Sequence, residues 1–339
     1  MRDLSKPSTA QCNRNLYILF LMAEPKYLSC VRLATILATV SHDSVNRFLL
    51  RENYTPEDLF NEVKGNLIFE GGTASVDDSV VDKPYRALGK SAFVDFFWSG
   101  KHKKAVKGIN LITLYFTDIA GHSYPVNFRI YDKREGKTKN DYFLEMLSQV
   151  MTWGLSPAYV TGDSWYSSIE NLKFLRNEKV GFLFGVADNR KVSLENAKPV
   201  QVKTLEIPEG GIVVYLKELG WVKIFCQNFK NEARYYALYL PDLEVLQNLT
   251  RQAFKRVHDL HWQIESFHRA IKQVCNIERF HVRTEQAIRN HFFCALSAYV
   301  RLQNMRLEGL IDNVYQVSRE LFIPVVRQFI AENLMLETA

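Results

Sequence analysis

A chain of 339 residues with 47% hydrophobic and 13% aromatic content can bury a large core, which excludes a disordered protein and points to a main domain with one or two small ones beside it. Its 43 basic and 37 acidic residues leave a net charge of +6, a mild excess that permits a polyanionic partner without requiring one. Five scattered cysteines with no Cys-x2-Cys pair argue against a zinc site or a disulfide framework and suit a reducing cytoplasm, while the longest early apolar run, Leu16 to Ala23, is too short to cross a bilayer, and no cleavable leader is expected.

The first expected module is helical and spans about residues 1–65. Leu28 to Leu37 and Ser44 to Arg51 read as two helices joined by a short turn, with Ser41 as N-cap of the second. This is a helix-turn-helix pattern. Val45, Phe48 and Leu49 would pack inward and leave Ser44, Asn46, Arg47 and Arg51 to read a DNA end in the major groove.

A strand-like run, Gly72 to Val81, then carries Asp77 and Asp78. Side chains of neighbouring strand residues point to opposite faces, so only one of the two can serve a given site. A hairpin is expected from Ile109–Thr117 and Pro125–Tyr131 around a turn at Ala120-Gly-His122. It is flanked by two basic patches, Lys101, Lys103, Lys104 and Lys107 on one side and Lys133, Arg134, Lys137 and Lys139 on the other. Either could neutralise phosphates without reading sequence, although charge runs in loops are usually solvated.

A helix over about 139–153 follows, with Tyr142, Phe143, Met146, Leu147 and Val150 on one face, and then a short strand ending in Gly162-Asp163. Ser167 to Glu170 has capping-box spacing and opens another helix. A strand at Gly181–Val186 completes an alternation of strands and helices typical of a mixed α/β sheet. Residues from about 190 to 242 read as β structure with glycine turns, an insertion in that core.

The densest chemistry lies in His258 to Lys272. At about 100° per residue, His258, Glu265 and Lys272 share one helix face, with His261 and Arg269 close beside them. Phe254, Val257, Leu260, Ile264, Phe267, Ile271 and Val274 form an apolar seam that mounts this face on a core. A solvated salt-bridge ladder is the plainer reading of such a face. Glu265-x2-His268 has di-iron spacing but lacks a second motif, and His258-x2-His261 lacks the remaining ligands of a zinc site. Two strand-borne aspartates and one helix-borne glutamate can instead hold two divalent ions about 3.5–4 Å apart for in-line displacement at phosphorus. The chain from about Asn276 to Ala339 is expected to be helical, 301–339 forming a C-terminal segment beyond the core, and its stripes of Phe292, Phe293, Leu296 and Val300 and of Leu321, Val325 and Phe329 are core in the usual case.

From Val76 to about Arg301 these residues resemble bacterial insertion-sequence transposases of the Asp-Asp-Glu type, in the group whose last motif reads Tyr-x2-Arg-x3-Glu-x6-Lys. Glu265 and Lys272 match that motif, while His258 and His261 stand where its Tyr and Arg are expected. The resemblance implies a ribonuclease-H-like α/β core over 66–300, a mixed sheet flanked by helices. It implies Asp78, followed by the hydroxyl of Ser79, together with Asp163 and Glu265 as catalytic and metal-binding carboxylates, Asp77 being the competitor for the first place.

It further implies two Mg2+ or Mn2+ ions and a phosphate grip by Lys272, with Arg269, His258 and His261 as weaker partners. Double-stranded DNA is the implied partner, bound by a homodimer in the cytoplasm of a bacterium, and Trp221, Tyr235 or Tyr236 of the insertion is the implied stacker on a flipped base. The expected activity is transposon-end cleavage and 3′-hydroxyl strand transfer. A nuclease that cuts without joining, or an inactive DNA-binding descendant, is the alternative.

Overall fold

The computed structural model describes residues 11–337 apart from Ala87, 195–197 and Asn231, with side chains described up to residue 331. Helices α1 (Arg14–Ala23), α2 (Cys30–Leu37), α3 (His42–Arg51) and α4 (Pro56–Val63) precede the first strand. Strands β1 (Thr73–Asp82), β2 (Asp95–Ser99), β3 (Lys104–Thr117) and β4 (Ser123–Ile130) lead to α5 (Lys139–Thr152). Then come β5 (Tyr159–Gly162), α6 (Ile169–Asn177), β6 (Gly181–Val186), β7 (Lys191–Val192), β8 (Val200–Gln201), β9 (Ile212–Leu216), β10 (Gly220–Phe229) and β11 (Glu232–Tyr239). Five helices close the chain: α7 (Leu243–Asn248), α8 (Arg251–Gln273), α9 (Glu285–Leu307), α10 (Gln316–Glu320) and α11 (Ile323–Glu337).

The chain divides into two compact units. One comprises 63–79 and 110–266, the other 1–62, 80–109 and 267–339. In the first, the strand order is β4-β3-β1-β5-β6-β11-β10-β9, with β1, β5 and β6 parallel and β11, β10 and β9 added antiparallel on the far side of β6. This is the mixed, helix-flanked sheet expected of a ribonuclease-H-like core. The β-rich insertion thus extends the sheet, because β11 takes up the edge hydrogen bonds that β6 would otherwise expose.

The two faces of this sheet separate by residue parity. On one, Phe143 of α5 packs on Phe184, and Gly162 leaves room for Phe184 and Val76, which a Cβ there would strike at 2.5 and 2.9 Å. On the other, Leu183, Phe225 and Leu238 form a core with Phe254 and Val257 of α8, so the apolar seam of that helix faces the sheet. Lys223 reaches the same side and donates to the Gln247 and Leu249 carbonyls at 2.7 and 2.8 Å, satisfying acceptors at the end of α7.

Several boundaries differ from the sequence expectation. The first strand does not end near Asp78 but runs to Asp82, because Val80 and Val81 are buried. The first helical capping residue after Asp163 is Ser168, whose hydroxyl accepts from Asn171; Ser167 instead closes a short 3-10 turn over Ser164–Tyr166. The patch Lys101–Lys104 lies in the turn between β2 and β3, a pairing not anticipated in sequence.

The second unit is mainly helical. α9 packs on α1 and α3 and is buried nearly all round, including Phe292, Phe293, Leu296 and Val300. Residues 267–300 therefore group with the N-terminal helices and not with the 66–300 core expected from sequence, since a helix apolar on all sides must be enclosed. The other stripe is not core: Leu321, Val325 and Phe329 are 46%, 64% and 66% exposed. Among the described residues no helix is long and apolar enough to cross a membrane, and all five cysteines are free.

Candidate active site

The site is organised by three hydroxyl and imidazole groups in a row. Ser75 and Thr161 are register partners on the parallel strands β1 and β5, their hydroxyls 2.8 Å apart, and the Thr161 hydroxyl lies 3.1 Å from His261 Nδ1 on α8. Ser75, Thr161 and His261 therefore mark the face of the sheet that α8 covers. Two residues on, alternation returns Asp77 to the Ser75 side, and the register carries Asp163 just past the end of β5. Lys272 Nζ donates to the Val80 carbonyl at 2.6 Å. Glu265 lies one turn beyond His261 on α8.

Asp78 faces the other way. Its Oδ2 accepts from Lys139 Nζ at 2.7 Å and from Asn110 Nδ2 at 2.6 Å, and its Oδ1 accepts from the Tyr166 hydroxyl at 3.0 Å. Tyr166 is fully buried, with its ring edge-on to Phe143 of α5. Its hydroxyl pKa is driven well up by burial and then by Asp78, Asp77 and Asp163.

Asp163 opens on the surface, its carboxylate accepting from the Trp165 backbone N–H at 2.9 Å. Burial of the carboxyl among protein atoms, and then the negative charge of Asp77, push its pKa up to about 6, with Asp78 a smaller influence. The negative field at Asp163 thus comes more from Asp77 than from Asp78. Glu265 is half-buried on α8 and adds to the field that, after burial, raises the Tyr236 hydroxyl. Among the described residues no three His, Cys, Asp or Glu side chains stand close enough to share an ion.

The remaining expected residues scatter over both units. His258 packs between Tyr236 and Phe254, with Nε2 3.3 Å from the Tyr236 hydroxyl, so Tyr236 is engaged in packing as well. Trp221 is half-buried and meets its cross-strand partner Tyr215 edge-on at 5.4 Å. Lys272 also pairs with Glu278 at 3.1 Å, while Arg269 is exposed.

Lys101 and His102 pair with Asp82 at 3.7 and 2.9 Å, and Lys103 in the same turn and Lys104 at the start of β3 are exposed. In the second patch, Arg134 is held by Asp132, Lys137 by Glu145 and Lys139 by Asp78. In the helix pair, Ser41 is the N-cap of α3 as expected. Asn46, Arg47 and Arg51 are exposed. Ser44 is not available to DNA: it is 1% exposed and its hydroxyl accepts the Cys12 backbone N–H at 3.0 Å.

Sequence reading missed Ser75, Thr161, Asn110 and Tyr166. The pattern that could have found the first two is the two-residue spacing of Ser75 to Asp77 and Thr161 to Asp163, which places a hydroxyl and a carboxylate on one face of each of two strands.

The family model for the transposase DDE domain matches residues 73–301. No curated protein matches the chain. Among solved structures, the piggyBac transposase synaptic complex with hairpin DNA is similar at 16% identity, over 98% of this chain and 76% of that one, with a TM-score of 0.54. The Drosophila P element transposase strand transfer complex aligns at 9% identity over 60% and 50% of the two chains, with a TM-score of 0.29. The first of these is a likeness of fold.

Proposed function

Because the chain belongs to the transposase DDE domain family, an enzyme class that cuts and transfers DNA strands, we propose that Asp77, Asp163 and Glu265 are the carboxylates that carry out the reaction. The observation that supports this assignment is the line Ser75–Thr161–His261: strand alternation returns Asp77 to the Ser75 face that α8 covers, and Glu265 follows His261 by one turn of that helix. Asp78, preferred on sequence grounds, is better explained as a structural anchor, since Lys139, Asn110 and Tyr166 already use its oxygens.

Members of this family use divalent metal ions, and the donor chemistry here suits one, although no three His, Cys, Asp or Glu side chains among the described residues stand close enough to share an ion. The donors are hard carboxylate oxygens, and burial followed by the negative charge of Asp77 holds the pKa of Asp163 near 6, a field that a bound dication would relieve. Asp77 and Asp163, with Glu265 on α8, would hold two Mg2+ or Mn2+ ions. Such ions activate water or a 3′-hydroxyl and steady the leaving oxygen at phosphorus.

The protein's own part is positioning. Buried Ile264 and Phe267 fix the rotation of α8 on either side of Glu265. His261, anchored through Nδ1 to Thr161, stands where an arginine would otherwise meet the phosphate, and donates less strongly near neutral pH than a guanidinium would.

Water would attack the phosphodiester at the element's end, and the freed 3′-hydroxyl would then attack target DNA, on a homodimer that holds two ends in the cytoplasm of a bacterium. The test is incubation of the purified protein with a DNA fragment from the flanks of its own gene and a supercoiled target in Mg2+. Joined products support transposition. Nicking without joining would leave a nuclease, and binding without nicking a DNA-binding descendant.

A further inference from the structure

Within the helical unit, the segment that follows β1 and the loop that follows α8 line a cavity of about 490 Å3, together with residues 26–29. Its walls carry five basic side chains, Lys26, Lys83, Arg86, Arg279 and His281, against two acidic ones, Asp82 and Glu278, with Tyr85 99% exposed beside them. Lys83 is buried, and its ammonium donates to the Glu278 and Phe280 carbonyls while lying 3.5 Å from the centre of the Phe280 ring. Arg86 donates to the same Phe280 carbonyl at 3.2 Å.

None of these five side chains has a carboxylate within 4.0 Å among the described residues. The acids nearby are already committed: Asp82 to His102 and Lys101, Glu278 to Lys272, and Glu24 to Arg32. The basic groups consequently work against one another. Burial and then Arg86 bring Lys83 down to about 7, burial and Arg283 lower Arg86, and burial with Arg86 and Lys83 lowers His281. A cavity with five basic groups to two acids, both acids paired with cations outside the five, favours an anion, and an open one with an exposed aromatic at its edge suits a chain of phosphates better than a single small ion.

We propose that this cavity grips the sugar-phosphate backbone of duplex DNA, using residues outside the carboxylate site; the proposal rests on the reading of the chain as a transposase. Lys26 and Arg279 are the outer contacts, Lys83 and Arg86 the inner ones, and neither reads sequence. The basic groups after the β3–β4 hairpin differ, since Arg134, Lys137 and Lys139 spend their charge on Asp132, Glu145 and Asp78.

The full chain is titrated with a 30-base-pair duplex of arbitrary sequence over a range of salt. Lys26→Glu and Arg279→Glu should each weaken binding about tenfold and lower the log–log salt slope by about one per lost phosphate contact. Lys173→Glu, whose amine already pairs with Glu218 at 2.8 Å, should leave both unchanged. Variants that keep the wild-type unfolding midpoint, affinity and slope would overturn the proposal. Should Arg279→Glu unfold through loss of its bond to the Pro25 carbonyl, Lys26→Glu decides, because that ammonium rests only on the Tyr27 ring. Failure of the wild-type protein itself to bind duplex would overturn the transposase reading along with the groove; normal wild-type binding with unaffected variants removes the groove alone.

Discussion

Lys139 Nζ stands 2.7 Å from Asp78 Oδ2, with the two side chains only 17% and 14% exposed. This pair fastens the N-terminus of α5 to β1 on the face of the sheet away from α8. The two consecutive aspartates of β1 are thereby divided, Asp78 to the structure and Asp77 to the other face.

That division makes the two substitutions behave differently. Asp78→Asn should destabilise the fold by about 2 kcal/mol, since it leaves a half-buried lysine short of its counter-charge. Asp77→Asn should leave the unfolding midpoint unchanged or raised, yet remove DNA cleavage. Thermal unfolding and a cleavage assay on both variants check this; a cleaving Asp77→Asn protein would return the first catalytic place to Asp78.

Glu265→Gln keeps the size and helix propensity of the side chain while removing its charge. Cleavage should fall by several orders of magnitude, and binding of the element's end should remain within a few-fold of wild type. A gel-shift and a cleavage assay run on the same preparation separate the two effects, and retained cleavage would take Glu265 out of the set.

The general plan was legible in the sequence because strands and helices of this core keep clean periodicities: β1, the β3–β4 hairpin, α5, β6 and α8 fall close to where alternation and three-four spacing put them. The helix that carries Glu265 was legible for the same reason, its apolar seam being unbroken. What one strand cannot reveal is which of its faces meets the site. Asp77 and Asp78 are equivalent by composition, and the proposed choice between them rests on the register of β1 with β5 and on the hydroxyl of Thr161. Ser44 differs from expectation for a related reason: on α3 it lies one turn before Phe48, at the edge of the apolar face, and its hydroxyl there accepts the backbone N–H of Cys12, from a distant part of the chain.

The Ser75–Thr161–His261 line predicts a coupling between stability and rate. Thr161→Val preserves shape but leaves a buried Ser75 hydroxyl and the Nδ1 atom of His261 each without the bond it makes to Thr161, which costs about 1–3 kcal/mol. Cleavage should fall as well, while Thr161→Ser, which keeps the hydroxyl, should restore most of both. Denaturant unfolding and single-turnover cleavage on the two variants test this, and a Thr161→Val protein with wild-type stability and rate would show that the line positions nothing.

The raised pKa of Asp163 carries a pH dependence whose sign can be worked out. A carboxyl near 6 in the folded protein and about 3.9 when unfolded favours folding most where it is protonated in both states. Its contribution is therefore fully present below about pH 4 and is lost as pH rises through 6. In the absence of divalent ions, Asp163→Asn should unfold at a higher temperature than wild type at pH 7.5. The Asn carbonyl can still accept the Trp165 N–H, and the two midpoints should converge near pH 4. Because Asp163 opens on the surface, screening makes the difference smaller than the shift alone would give. Mg2+ or Mn2+ should raise the wild-type midpoint at pH 7.5 and barely move that of Asp163→Asn. Near pH 6, addition of the ion to wild type should release protons, read as a dependence of the binding heat on the buffer's ionisation enthalpy, and this release should disappear by pH 8. Calorimetry with Mn2+ at both pH values provides the check, and a binding heat independent of buffer at pH 6 would mean that Asp163 is not among the groups that take up the ion.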